Sequence, residues 1–360
     1  MLTNAAVKIP SEAERRASSN DDADARIRRA VGDLHTPRAI VFWTDMVGSA
    51  IVGWAAFVIA AAAPMLSPTQ VVASLVAALA LYRGLCFTHE ITHLQRRAVP
   101  GFETAWNVLF GVPLLLPSFT YVGVHQSHHS LSTYGTDADP EYLPFATSRR
   151  LIVVFAVQSS VLIPIVAAIR FLLLAPVGLV VPQFHRWLET YASSFSMNPA
   201  YRRVVPAQMA QTMKRWEAST LVAWAIVLGL LYVGVVPWRA LLAWYEILVV
   251  VSFLNTLRVL GAHDYDSDGA PLDRYGQLKD SIDTPGGPWT ELWAPVGLRY
   301  HALHHYFPGI PYHNLGEAYR RIERDLPAAL IYRESTSPSL RQSLTTLYAK
   351  AKIGRRSAVR

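Results

Sequence analysis

From Met46 to Tyr82 the chain carries no Asp, Glu, Lys or Arg, and no other feature restricts the fold as strongly. A helix needs ~20 apolar residues to cross the hydrocarbon core of a bilayer. The run is long enough for two such helices. Pro64 and the Ser67-Pro68 pair divide it, because proline interrupts a helix interior and restricts the residue before it. The pattern predicts a hairpin, with one span near 39–63 and a second near 70–87. A second hairpin is predicted near 218–237 and 240–260: Ala218 to Trp238 is uncharged, Arg239 marks the turn, and Glu246 is the only charge before Arg258. An acid within a span is costly in lipid, so Glu246 and Asp45 are expected to face protein or a polar cavity.

Composition points the same way. Of 360 residues, 52% are hydrophobic and only 16% charged, against roughly a quarter in soluble domains. The single cysteine, Cys86, excludes an intramolecular disulfide and an all-cysteine metal site. The net charge of +7 comes without the aromatic–basic interleaving or finger spacing of a nucleic-acid binder. Basic pairs at Arg96-Arg97, Arg149-Arg150, Arg202-Arg203, Lys214-Arg215 and Arg320-Arg321 instead follow the positive-inside rule, which places both termini and the histidine motifs in the cytoplasm. Residues 1–37 read as a disordered cytosolic tail, 38–330 as one membrane domain, and 331–360 as a basic cytosolic tail.

Nine of the twelve histidines fall in three short boxes or just upstream of one. The boxes are His89-Glu90-Ile91-Thr92-His93, His125-Gln126-Ser127-His128-His129 and His301-Ala302-Leu303-His304-His305; His263 follows the last predicted span. On a helix, positions i, i+3 and i+4 share a face, so each box is expected to aim its imidazoles together. Imidazole suits iron, zinc, copper and nickel, and nine rings exceed what one ion takes. The pattern fits two ions with open positions. The first box also matches HExxH, in which His89 and His93 would hold zinc and Glu90 would act as general base of a protease. That reading leaves the other two boxes without a role.

The set HxxxH, HxxHH, HxxHH beside paired spans resembles the membrane fatty-acid desaturase and hydroxylase superfamily. The resemblance extends through His128-His129-Ser130-Leu131-Ser132-Thr133-Tyr134-Gly135-Thr136-Asp137-Ala138-Asp139-Pro140, and through His304-His305-Tyr306-Phe307-Pro308-Gly309 to His313. It implies a di-iron centre held by His89, His93, His125, His128, His129, His263, His301, His304 and His305, with O2 as co-substrate and a fatty acyl substrate on CoA, carrier protein or lipid. Desaturation is the main activity it implies, and acyl or lipid hydroxylation the alternative. Asp137, Asp139, His313, Asn255 and Glu90 are candidates to support the ligands. In related acyl-CoA desaturases an Asn one turn before the isolated histidine contacts metal-bound water; here Val259 stands there, and Asn255 lies two turns away. The chain has no HPGG-type cytochrome b5 segment and no GxGxxG unit. A separate ferredoxin or cytochrome b5 with its reductase is therefore implied.

If all three boxes build one centre, they lie on one side of the membrane. The apolar stretch Thr104–Val124, broken by Gly111, Pro113 and Pro117, then cannot be a single span and is expected to be interfacial or re-entrant. Leu151–Pro182, with Arg170 inside it, is too short to cross twice and is expected not to cross. The expected architecture is all-α: four transmembrane helices in two hairpins, interfacial or re-entrant helices, and a cytosolic histidine-box cap.

Overall fold

The computed structural model describes residues 24–95, 97–325, 332 and 334–353. Among these the regular structure is all helical, with isolated β-bridges and no strand. Helices α1 (Ala39–Ala62) and α2 (Pro68–His93) form the first hairpin. Ser67 caps α2 by accepting the Gln70 N–H on its hydroxyl, and Pro68 sits in the first turn, where its missing N–H costs nothing. Gly53 lets α1 lie close on α2: a Cβ there would come within 2.7 Å of Leu81 Cδ2. Asp45 faces protein, accepting from Arg83 Nε at 2.8 Å and the Tyr312 hydroxyl at 3.1 Å. Glu246 likewise accepts from Gln70 Nε2 at 3.5 Å.

The short helix α3 (His125–His128) follows the segment expected to be interfacial or re-entrant. Phe102–Trp106 runs into a π-turn, Asn107–Gly111, and the chain then reverses. The carbonyls of Leu109, Val112 and Pro113 accept indole N–H groups from Trp54, Trp224 and Trp244 at 2.8, 3.1 and 3.0 Å. Asn107 closes the loop on Ser118 with two bonds of 2.8 Å. This backbone leaves helical geometry among the spans and is tolerated there because protein side chains satisfy it.

Among the described residues four helices are long and apolar enough to cross a membrane: Ala39–Ala62, Pro68–His93, Arg149–Val180 and Arg239–Ala262. Their outward faces are apolar, with Ile51, Val58, Val72, Val157 and Phe253 all exposed. The number equals that of the expected spans; by length and apolarity the set takes in Arg149–Val180 and does not take in the helix over the expected span at 218–237. The stretch expected not to cross forms α4 (Arg149–Ala168), a π-turn at Ile169–Leu174, and α5 (Ala175–Val180) as one continuous run. Arg170 did not prevent this. It is buried against protein, pairing with Glu217 and donating to the Ala192 carbonyl at 2.5 Å. The chain reverses at Val181 into α6 (Pro182–Tyr191), whose His185 meets Glu217 at 3.0 Å. The span expected at 218–237 is the apolar half of a longer helix, α7 (Ala207–Tyr232), and α8 (Arg239–Ala262) returns to His263.

The remaining helices form a cap: α9 (Arg274–Asp280), α10 (His301–Tyr306), α11 (Tyr312–Asp325) and α12 (Leu340–Ile353). Both expected tails carry helix that packs on the domain where they are described. A helix over 24–31 buries Ile27 and Val31 against Leu303, Phe307 and Leu315. Helix α12 buries Leu347 and Ala351 in a cluster with Tyr134, Tyr265 and Leu260, and Lys350 Nζ bridges Asp264 and Asp266 at 3.1 and 2.7 Å. Charge-rich composition hid these thin apolar stripes. Residues 1–23 and 354–360 lie outside the described residues.

Candidate metal centre

Each histidine box sits at a helix end. The last turn of α2 presents His89 and His93, α3 presents His125, His128 and the following His129, and α10 presents His301, His304 and His305. His263 caps α8 in extended conformation. The nine converge as two clusters: His89, His93, His125, His129 and His304 in one, and His128, His263, His301 and His305 in the other, with donor atoms of each cluster within 4.8 Å of one another.

Several Nε2 atoms meet in pairs: His129–His125 at 3.0 Å, His304–His93 and His304–His129 at 3.2 Å, His301–His263 at 2.9 Å and His305–His301 at 3.1 Å. Two imidazole nitrogens bound cis to one ion at ~2.1 Å would stand ~3.0 Å apart. Hydrogen bonding cannot account for all these contacts, because one Nε2–H serves one acceptor at a time. Both ring nitrogens of buried His89 lack any hydrogen-bond partner among the described residues. Burial drives the pKa of His125, His129, His301, His304 and His305 well below the usual imidazole value, leaving the neutral form that binds metal. The donor set fits two metal ions.

The distal nitrogens are oriented by carboxylates. His128 Nδ1 stands 2.9 and 3.0 Å from the two oxygens of Asp139, which also accept the N–H groups of Glu141 and Gly135 at 2.9 Å. Burial opposes charge on His128, but Asp139 raises its pKa. His125 Nδ1 lies 2.9 Å from Glu141 Oε1 and from the Tyr121 hydroxyl. His263 Nδ1 lies 2.8 Å from the Tyr134 hydroxyl, which donates to Asp280 Oδ2 at 2.9 Å. Because a carboxylate only accepts, this chain sets the His263 proton on Nδ1 and turns the Nε2 lone pair inward. Buried Asp283 caps α10 by accepting the Leu303 N–H at 3.1 Å and also accepts from the Tyr332 hydroxyl. Burial lifts its pKa to about 7 against the pull of these hydrogen bonds.

Of the supporting residues read from sequence, Asp139 reaches a cluster histidine through its carboxylate. Asp137 is exposed and offers only its carbonyl, to Asn198. His313 stands outside both clusters, its Nε2 accepting the Arg38 N–H at 3.1 Å. Asn255 accepts from Arg258. Glu90 accepts the Tyr312 N–H at 2.9 Å and lies 3.6 Å from His89 Nδ1, so it ties α2 to the loop after box three. The five imidazoles of the cluster that includes His89 and His93 also exceed a zinc protease's tetrahedral set. Sequence reading missed Glu141, Tyr134, Asp280 and Asp283. Glu141 stands two residues past Asp139 and was within reach of local spacing; Asp280 and Asp283 meet the site only through tertiary bridges.

A family model described as fatty acid desaturase matches residues 66–336, well over half the chain. The chain belongs to the fatty acid desaturase family. The same conclusion follows from a relative in Caulobacter vibrioides (strain NA1000 / CB15N) described as a ceramide hydroxylase, which is 40% identical over 325 residues, 89% of this chain and 91% of the relative. The chain is thus an integral membrane oxidoreductase of the desaturase family acting on a lipid-type substrate. In this family member a cavity of about 420 Å³ reaches His89 and is walled by Leu85, Trp106, Leu162, Ile163 and Val166, an environment suited to an alkyl chain.

Proposed function

We propose that this protein is a two-iron hydroxylase of a ceramide-like membrane lipid. The observation that carries the reading is 40% identity along about nine-tenths of both chains to a protein described as a ceramide hydroxylase. The histidine boxes favoured no outcome over another, and the main sequence expectation, desaturation, becomes the second reading. The balance is R–H + O2 + 2 electrons + 2 protons giving R–OH + H2O, with electrons from a separate ferredoxin or cytochrome b5. Iron held by the nine imidazoles would activate oxygen and remove hydrogen from an unactivated C–H bond. The protein's own part is positional. Asp139, Glu141 and the Tyr134–Asp280 pair hold ring protons on Nδ1, while the apolar cavity wall receives a chain and excludes water. Termini and boxes face the cytoplasm in this reading.

Expression in a host that makes ceramide, followed by lipid mass spectrometry, tests the proposal. The expected product is ceramide with one added oxygen, absent in His301→Ala. A product lighter by two hydrogens, without added oxygen, would establish desaturation instead.

A further inference from the structure

The cavity wall changes character along its length. On α4, Gln158 and Ser159 lie nearer the histidine end, and Leu162, Ile163 and Val166 one to two turns further on. On α8 the cavity-lining residues Ser252, Asn255 and Arg258 run toward His263. The polar end of the cavity therefore abuts the metal centre.

Arg258 is buried on this wall, and its Nε and Nη2 both donate to one atom, Asn255 Oδ1, at 3.2 and 3.1 Å. The Tyr82 hydroxyl also stands against it, but among the described residues no carboxylate forms an ion pair with it, although a guanidinium carries five donors and its burial without a counter-charge is costly. Its charge is felt at His89 and His301, one in each cluster, and at Glu141. A pocket meant only for hydrocarbon has no use for such a group.

We infer that Arg258, its fork steadied by Asn255, binds an oxygen of the amide or adjoining hydroxyl in the head of an N-acyl lipid, so that the oxidised carbon lies next to the head and not in mid-chain. This rests on the hydroxylase reading. A head docked at Arg258 sets its nearest carbons against the histidine clusters and sends a tail along the apolar wall.

The test uses full-length protein in membranes supplied with ceramides of differing acyl and base lengths, with tandem mass spectrometry locating the new hydroxyl. The expected hydroxyl keeps one distance from the amide whatever the chain lengths. A mid-chain hydroxyl, or one counted from the methyl end, overturns the inference and leaves the hydroxylase reading standing; no oxygenated lipid at all defeats that reading itself. Arg258→Leu is expected to raise KM roughly ten- to a hundredfold, the loss of a charged hydrogen bond, at wild-type iron content. Unchanged KM and unchanged product position in the iron-loaded variant overturn the assignment. Should Arg258→Leu not accumulate, Arg258→Lys and Asn255→Leu carry the same readouts.

Discussion

Asp139 and Glu141 hold neighbouring histidines in the same way, yet their amides should behave differently. Both oxygens of Asp139 are committed to donors: Oδ1 to His128 and the Glu141 N–H, Oδ2 to His128 and the Gly135 N–H. Asp139→Asn must turn an NH2 toward one of those backbone N–H groups whichever way the amide flips. One buried donor then loses its acceptor, which costs about 1–3 kcal/mol. Loss of a carboxylate behind a ligating histidine lowers metal affinity roughly 10- to 100-fold. Glu141→Gln also removes a carboxylate behind a histidine and makes the Tyr121 hydroxyl give up its acceptor, but it orphans no backbone N–H. Its Oε1 can remain 2.9 Å from His125 Nδ1, while the new NH2 donates to the Tyr121 hydroxyl now held by Oε2 at 3.2 Å. Iron retention against a graded chelator, measured by elemental analysis alongside thermal unfolding, separates the two. Asp139→Asn should lose metal at lower chelator and unfold earlier, with Glu141→Gln between it and wild type. Equal behaviour of the two variants would refute the reasoning.

The stability of Asp283→Asn relative to wild type should shift in favour of the variant as pH rises, on top of a pH-independent cost of turning an NH2 toward a donor. The folded pKa of about 7, against 3.8 for the free group, means the wild type loses stability from pH 3.8 up to about 7 and levels off above it, whereas Asn does not titrate; unfolding at a series of pH values should show the difference growing to that plateau. Trp244→Phe removes the indole donor to the half-buried Pro113 carbonyl and should cost about 1 kcal/mol in denaturant unfolding, with a loss of about 1–3 kcal/mol for Trp224→Phe at the buried Val112 carbonyl. Asp137→Ala and His313→Ala should keep full iron content in elemental analysis, because neither side chain belongs to either cluster; His263→Ala should not.

The spans and boxes were legible because each has a local periodicity: uncharged runs of bilayer length, and histidines one helical turn apart. The re-entrant turn was legible through a closure argument, since Thr104–Val124 separates two boxes that meet. What sequence hid was compensation. Arg170 reads as an obstacle inside Leu151–Pro182 until Glu217, far along the chain, is seen beside it. Trp54, Trp224 and Trp244 sit in apolar runs where nothing local marks that they cap a broken backbone elsewhere in the chain. Asp280 and Asp283 sit in an unremarkable polar stretch and acquire meaning through Tyr134 and Leu303.

The HxxHH spacing also works differently from a simple wedge aimed at one ion. In α3, His125 and His129 join the first cluster while His128 joins the second; in α10, His301 and His305 join the second while His304 joins the first. In each box the i, i+4 pair stays together and the i+3 residue crosses over, in opposite senses, so the two helices interlock the clusters. The HxxxH box, lacking the i+3 histidine, contributes to one cluster only. Unequal donor numbers follow, and with them a prediction. His128→Ala leaves three imidazoles in the second cluster, whereas His304→Ala leaves four in the first. Under moderate chelation His128→Ala should fall to about one iron per chain, and His304→Ala should stay nearer two. Loss of both ions together in His128→Ala, with the protein still folded by circular dichroism, would mean that the clusters fill as one unit and that the crossing histidines couple the ions as well as hold them.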